Sequence, residues 1–120
     1  MAYRGGGGGG YNQDIRIPPG WEDCPPMGEP LKLPNNKYFP VIPSKVPLSP
    51  RWNHLIKYSS RYSIVNAVQM AESRFGRVSL VLDLTNSSRY YNWFEEMGAH
   101  CPILYLKVPC RGRGQTPEPA

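Results

Sequence analysis

Alternating apolar residues predict a strand in the second half of the chain. Residues 78 to 84, VSLVLDL, carry valine or leucine at every second position, which is the periodicity of a strand. Val81 adds an apolar side chain to the opposite face. Strands that are apolar on both faces are typical of parallel sheets covered by helices on both sides. We therefore expect 78–84 to be a buried strand of an α/β sheet.

A helical period precedes this strand. Ile64, Val68, Ala71 and Phe75 are separated by four, three and four residues, which places them on one face of a helix. Gly76 follows at the position of a C-terminal cap, where a positive φ is common. The pattern predicts a helix over 62–75 whose apolar face packs on the core.

The remaining periodic segments complete an α/β order. Asn92 and Glu95 have the spacing of an N-cap and N3 pair, which predicts a short helix ending near Gly98. The segment ILYLKV, 103–108, predicts another strand. YFPVIPSKV, 38–46, predicts a short strand whose two prolines push it to a sheet edge. The order strand, helix, strand, short helix, strand indicates an α/β fold with a parallel component.

Glycine and proline confine the packable core to the later residues. Residues 1–14 contain six consecutive glycines, which have high backbone entropy and nothing to bury, so we expect a disordered tail. Residues 15–37 carry prolines that exclude a continuous helix or a central strand. We expect an extended arm there, with Trp21, Cys24 and Met27 packing onto the domain.

Charge and cysteine content narrow the class of protein. A chain of 120 residues fits one domain at most. Its net charge of +5 suits an anionic partner such as nucleic acid, or a solvated basic surface. Arg111 and Arg113 in CRGRG are accordingly either RNA-backbone contacts or parts of a solvated tail. Three cysteines do not suggest a disulfide framework, and they favour a reducing compartment such as the cytosol or nucleus.

No metal site, cofactor or membrane span is expected. The cysteines and histidines include no C-x-x-C pair, the usual form of clustered zinc ligands. No apolar run approaches the length of about 18 residues that a transmembrane helix needs, and the N-terminus lacks the apolar core of a signal peptide. No Walker loop, dinucleotide fingerprint or Ser-His-Asp order occurs.

His100 and Cys101 have the spacing of a cysteine-phosphatase loop, His-Cys-x5-Arg, without its chemistry. Lys107 stands in place of the arginine and cannot supply a planar bidentate fork. Pro102 removes one backbone donor, and the following residues predict a strand where a helix N-terminus is required. We therefore expect Cys101 to be a small buried side chain at the entrance of a strand.

Asp83 is the main candidate for chemistry, because ligands of open α/β sheets bind at the carboxyl ends of the strands. It is either a pocket carboxylate that transfers a proton or positions an arginine, or a turn-forming residue that accepts N–H bonds from the following TNSS. Composition alone favours the turn role. Arg89 can pair with Asp83 or face a phosphate, and Ser87 and Ser88 can be turn hydroxyls.

Four segments in one order carry a family resemblance. They are IPPGWEDCPPMGEP (17–30), YFPVIPSKVPLSPRWN (38–53), LVLDLTNSSRYYN (80–92) and LYLKVPCRGRGQTP (104–117). Together they resemble the N-terminal RNA 5′-triphosphatase domain of metazoan- and plant-type mRNA capping enzymes, a branch of the cysteine-phosphatase superfamily. LDLTNSSRYY is the most specific of these segments.

The resemblance implies a parallel-centred, helix-flanked cysteine-phosphatase-like sheet over 15–117, with 118–120 as a tail. It implies metal-free removal of the γ-phosphate of nascent RNA through a phosphocysteine, in the nucleus. The RNA 5′ triphosphate is the implied partner, and the transcription machinery is a further candidate. Asp83 matches the family's functionally important aspartate near the pocket, and Arg89 matches a motif position without an assigned role. In many members a guanylyltransferase domain follows.

The sequence departs from the family at the catalytic loop. The family's HCxxGxxRTG loop lies after a further helix and strand, and these 120 residues contain no such loop and no guanylyltransferase lysine motif. We therefore expect an incomplete domain that is inactive as it stands. Without later neighbours VSLVLDL would be partly uncovered, so the isolated chain is expected to be aggregation-prone. The alternative is a non-catalytic module that binds RNA or a protein partner through the basic tail and aromatic arm.

Overall fold

The computed structural model describes residues 16–37 and 40–111. Within these residues, two short 3₁₀ helices precede two α-helices and two strands. The 3₁₀ helices span Pro50–Leu55 and Tyr58–Ser60; α1 spans Ile64–Phe75, β1 Leu80–Asp83, α2 Trp93–Met97 and β2 Leu104–Lys107. From α1 onward this order is the one that the sequence predicts.

β1 and β2 form a two-stranded parallel sheet. Leu80 lies opposite Leu104, and Asp83 lies opposite Lys107. Parallel strands need a crossover connection, and α2 lies within that crossover. The predicted α/β class and parallel component are confirmed, in a small form. The crossover brings the carboxyl ends of both strands to the same edge.

The prediction that 78–84 is a strand buried on both faces is wrong. β1 is limited to Leu80–Asp83. Four leucines lie half or more exposed on one face of the sheet, which we call the leucine face: Leu80 50%, Leu82 51%, Leu104 70% and Leu106 53%. Side chains alternate between faces along a strand, so Val81 points to the packed side, where it contacts the core. The described residues therefore cover only one face of the sheet.

α1 begins at Ile64, two residues later than predicted, because Ser63 caps it. The Ser63 hydroxyl accepts from the Asn66 amide, and the Asn66 side chain accepts from the Ser63 amide, which makes a reciprocal capping box. Gly76 ends the helix at φ +111°, a backbone conformation that favours glycine. Phe75, predicted to face the core, is exposed at the helix end, where the Arg74 guanidinium lies over its ring.

Replacing Ser63 with alanine should lower the free energy of unfolding by about 1 kcal/mol, because the amide of Asn66 loses its acceptor. Urea unfolding of sub-micromolar protein, followed by tryptophan fluorescence, measures the change. Ser73, exposed within α1, provides the matched control, since its replacement by alanine removes a hydroxyl without removing a cap. Equal unfolding midpoints for the two variants would contradict the role of Ser63.

The core lies between α1, α2, the packed face of the sheet and the arm. Its buried apolar residues form one cluster: Trp21, Leu48, Trp52, Ile56, Tyr62, Ile64, Ala67, Val68, Tyr91 and Trp93. Three tryptophans from distant parts of the chain meet there. Aromatic side chains supply most of this burial, which suits a small core with few elements.

Trp21 fastens the proline-rich arm to this core, as predicted. Its ring is 4% exposed, and its Nε1 donates to the Val46 carbonyl at 2.7 Å. The Lys45 ammonium lies 3.8 Å from the centroid of the same ring and donates to the carbonyls of Trp21 and Cys24. The Cys24 side chain is exposed, so the prediction that it packs onto the domain is wrong.

The predicted edge strand at 38–46 is not a strand in its described part. Residues 40–46 contain one isolated antiparallel bridge, from Met27 to Ser44, because prolines interrupt the ladder of hydrogen bonds. This bridge ties Met27, which is half-buried, to the domain. The predicted tails at 1–14 and 118–120 lie outside the described residues.

Candidate functional site

The candidate site lies at the carboxyl ends of β1 and β2, where Asp83 and Lys107 face each other. Asp83 is 6% exposed, although it carries a charge. Buried carboxylates are stable only when they are paired and hydrogen-bonded. The partners of Asp83 therefore define what this site can do.

Each oxygen of the Asp83 carboxylate has its own set of donors. Oδ1 accepts from the Thr85 amide at 2.9 Å and from the Thr85 hydroxyl at 2.7 Å, which closes the turn after β1. Oδ2 accepts from the hydroxyls of Tyr91 at 3.0 Å and Tyr105 at 2.5 Å, and from the Lys107 ammonium at 3.2 Å. The carboxylate thus joins the loop after β1 to strand β2.

The strand period explains why these groups converge. Tyr105 and Lys107 are two residues apart on β2, so both point to the packed face of the sheet. Tyr105 stacks on Trp93 at a centroid distance of 5.1 Å and an interplanar angle of 12°. It meets Tyr91 edge-on, at 6.3 Å and 81°. Asn92 accepts from the Glu95 amide at 2.9 Å, which confirms the predicted cap and starts α2 beside these rings.

In this cluster the pKa of Asp83 is lowered, and the pKa values of Tyr91 and Tyr105 are raised. Burial alone would raise the pKa of Asp83, but hydrogen bonds from Tyr105, Thr85 and Tyr91 outweigh it and hold that pKa below its ordinary value. Burial and the Asp83 carboxylate raise the pKa of Tyr105 to about 12. The pKa of Tyr91 is raised for the same two reasons. Asp83 is therefore a carboxylate held between neutral phenols and an ammonium.

Lys107 is the site residue that sequence reasoning missed. Its ammonium donates to Asp83 Oδ2, to the Thr85 hydroxyl at 2.9 Å and to the Ser87 carbonyl at 3.0 Å. Lys107 cannot replace a catalytic arginine. It lies opposite Asp83 in the strand register and forms an ion pair with it. An acid and a base at the ends of two predicted parallel strands are the signal that could have identified it.

Arg89 does not pair with Asp83, which the sequence left open. Its guanidinium donates to the hydroxyls of Tyr90 and Ser87 at 2.8 and 3.4 Å and lies 4.6 Å from the centroid of the Tyr90 ring. Its Nε is buried without a partner. The Arg89 carbonyl accepts from Trp52 Nε1 at 3.3 Å and from the Arg51 guanidinium. The side chain of Arg89 is thus held within its own loop, and its carbonyl binds that loop to the 3₁₀ helix Pro50–Leu55.

The remaining candidates lie elsewhere or outside the described part. Arg111 is exposed beyond the end of β2, and Arg113 lies outside the described residues. His100 is exposed, and Cys101 is half-buried against the core. Strand β2 follows them, so this pair does not form the phosphate-binding loop that its spacing imitates.

Residues 16–37 and 40–111 contain neither a cluster of metal ligands nor a membrane-spanning helix. Within those residues no group of three histidine, cysteine or acidic side chains is arranged to hold a metal ion. No helix in the same ranges has the length and apolar character needed to cross a bilayer.

Comparison with known proteins identifies relatives of one kind. No family model matches the chain. The chain is 33% identical over 104 residues to an mRNA-capping enzyme of Mus musculus, 30% over 102 residues to one of Danio rerio, and 33% over 103 residues to one of Caenorhabditis elegans. These alignments take in 83 to 85% of the chain and 15 to 16% of each relative.

The predicted resemblance is therefore confirmed at the level of the family. The chain spans about one sixth of the length of the curated relatives that it matches. Over the part that it shares with them, the chain belongs to the mRNA-capping enzyme family.

Proposed function

We propose that these residues are part of the RNA 5′-triphosphatase domain of an mRNA-capping enzyme, a cysteine-phosphatase-like domain that removes the γ-phosphate from nascent RNA. The observation that carries the proposal is the position of Asp83. It stands within LDLTNSSRYY, at the carboxyl edge of a parallel sheet, the edge at which α/β proteins bind ligands. The capping-enzyme relatives supply the biochemical setting.

The implied substrate is a triphosphate-ended RNA, and the implied compartment is the nucleus, where nascent RNA is made. A net charge of +5 favours association with a polyanion. The transcription machinery is a further partner in this proposal. A phosphate pocket built on this edge would have Asp83 beneath it, as a group that shapes the pocket.

Residues 1–120 on their own are inert in this proposal. A cysteine phosphatase needs a thiolate nucleophile and a backbone cradle with an arginine for the phosphate. The sequence has no His-Cys-x5-Arg segment, and His100 and Cys101 precede a strand. Neither the nucleophile nor the cradle is therefore present among these residues.

Purified residues 1–120 should release no more phosphate from triphosphate-ended RNA than the buffer does. The physical reason is that a covalent mechanism without its nucleophile loses most of its rate enhancement. Colorimetric or radiolabel release assays measure the rate, with the Mus musculus capping enzyme as the positive control. A rate above background that disappears in a Cys101→Ser variant would overturn the expectation of inactivity.

The domain assignment has a separate test. Transcripts and genomic sequence beyond the codon of Ala120 should encode an HCxxGxxRTG segment, and the longer polypeptide should release the γ-phosphate. A longer product that lacks this segment would contradict the triphosphatase assignment while leaving family membership intact.

A binding module based on an aromatic arm has little support from the contacts. Trp21, the tryptophan of the arm, is buried against Val46 and Lys45, so its face is not open for stacking on a base. RNA affinity of residues 1–120 that falls steeply with salt would nevertheless favour that alternative.

A further inference from the structure

We propose that Lys107 and Tyr105 are positioning residues of the proposed triphosphatase site, which together hold Asp83 and the loop after β1 in one arrangement. The proposal rests on the proposed function for its consequence in catalysis. The contacts that support it are all observed within this chain. Both residues lie on β2, outside LDLTNSSRYY, the most specific segment of the resemblance, and within the segment LYLKVPCRGRGQTP.

The Asp83 carboxylate has no acceptor site left for a further ligand. A carboxylate has about four lone-pair sites, and Asp83 already accepts from five donor groups. It is also buried. A substrate or water molecule therefore finds no open acceptor on Asp83 unless one of these bonds breaks. Asp83 can therefore contribute to a pocket only by positioning the groups that donate to it.

Lys107 uses all of its donors within this cluster. A lysine ammonium has three donors, and Lys107 has three acceptors: the carboxylate of Asp83, the hydroxyl of Thr85 and the carbonyl of Ser87. The first belongs to β1 and the other two to the loop that follows it. A single side chain on β2 therefore fixes both the end of the neighbouring strand and the third and fifth residues of the segment DLTNS.

The contacts of Lys107 continue through Ser87 to Arg89. The Ser87 hydroxyl accepts from the Arg89 amide at 3.1 Å and from its guanidinium. The Ser87 carbonyl is the atom held by Lys107. A continuous path of contacts thus runs from β2 through Ser87 to the one basic side chain of the LDLTNSSRYY segment. Loss of the ammonium would leave the Ser87 carbonyl with the Thr85 hydroxyl at 3.1 Å and would loosen the residue whose hydroxyl holds the Arg89 amide.

Tyr105 has the complementary role on the other side of the carboxylate. Its ring is fixed by stacking on Trp93, and its hydroxyl makes the shortest of the five contacts to Asp83. A phenol on a rigid ring determines the rotation of the carboxylate more tightly than a flexible ammonium does. Tyr105 orients Asp83, and Lys107 transmits that orientation to the loop.

Two substitutions separate these roles from general packing. Lys107→Met keeps most of the apolar stem and removes the ammonium, and Tyr105→Phe keeps the stacked ring and removes the hydroxyl. Both should speed hydrogen exchange at the amides of Thr85 and Arg89 by about tenfold or more, because their acceptors are no longer held. The amide of Ala67 in α1, bonded to the Ser63 carbonyl, should keep its wild-type rate.

Exchange is measured by mass spectrometry at sub-micromolar protein. Lys57→Met, at an exposed lysine outside the site, is the matched control and should leave the loop unchanged. Unchanged loop exchange in folded Lys107→Met, or an equal acceleration throughout α1, would overturn the proposal. If Lys107→Met does not fold, Tyr105→Phe, which removes one hydroxyl donor to Asp83 and keeps the stacked ring, decides by the same criterion.

A second arm uses the longer polypeptide that carries the catalytic loop. There Lys107→Met should lower kcat for phosphate release by about tenfold. No release by the unsubstituted longer polypeptide would overturn the proposed function and leave the exchange result standing. Full activity of Lys107→Met, despite a loosened loop, would overturn the positioning role and leave the proposed function intact.

Discussion

Replacing Asp83 with alanine should cost about 3 kcal/mol or more of unfolding free energy, the largest effect expected of any single substitution at the site. The substitution leaves the hydroxyls of Tyr91 and Tyr105 and the ammonium of Lys107 without their shared acceptor. Buried donors without partners carry the full cost of their desolvation. For a domain this small, such a loss is a large part of the total stability.

The pH dependence of the same variant follows from the lowered pKa of Asp83. A carboxyl whose pKa is lower in the folded state than in the unfolded state stabilises the fold above its ordinary pKa. That stabilisation is lost as the pH falls through the folded-state value. The difference in unfolding free energy between wild type and Asp83→Ala should therefore be largest at neutral pH and should become smaller in acid.

Urea unfolding of sub-micromolar protein at a series of pH values, followed by tryptophan fluorescence, measures both effects below the concentration at which self-association is expected. Asp23→Ala is the matched control, because Asp23 is exposed and the substitution removes the same charge. It should change stability by no more than about 0.5 kcal/mol. An Asp83→Ala variant as stable as this control would show that the network around Asp83 does not support the fold.

The second large effect concerns the leucine face. The described chain should self-associate at micromolar concentration and unfold without a sharp reversible transition. Covering a leucine stabilises by about 1.5–3 kcal/mol, so four half-exposed leucines leave a driving force on the order of 4 kcal/mol for association. An uncovered apolar sheet with open edges is a known aggregation hazard.

Leu82→Lys combined with Leu106→Glu should convert the chain into a monomer with a cooperative transition. The two positions are register partners, so the new charges face each other across the strands. Leu31→Lys with Leu33→Glu makes the same change of composition on the exposed arm and should leave association unchanged. Sedimentation velocity gives the answer, and a monomeric wild-type chain with a sharp reversible transition would refute the expectation.

Local patterns predicted the helices well because the reasons for them are local. The four-three-four spacing located α1, and the side chain of Asn92 capped α2 as its position implied. The boundary errors have local causes too. The Ser63 hydroxyl caps the helix, so α1 begins later than apolar spacing alone suggests. Phe75 is the last residue of α1, and its side chain is exposed to solvent there.

The turn role predicted for Asp83 is confirmed by its bond from the Thr85 amide. The exposure of the sheet and the long-range partners of Asp83 were not predictable in the same way. Alternation identifies the two faces of β1, but only its neighbours decide whether both are covered. The pairing of Asp83 with Lys107 depends on the register of the parallel strands, which is set by the whole crossover. Sequence reasoning considered Arg89 as the charged partner of Asp83 because it is near in sequence. The charged partner in the structure is Lys107, which lies 24 residues away.

The way in which Trp21 is held bears on the order in which the chain assembles during synthesis. Its two main contacts, Val46 and Lys45, are 25 and 24 residues further along, so they leave the ribosome seconds later at about 5–20 residues per second. The arm is therefore made first and docks late. A tethered nascent chain that ends before Val46 should expose Trp21 to a soluble quencher, and one extended through Lys107 should protect it.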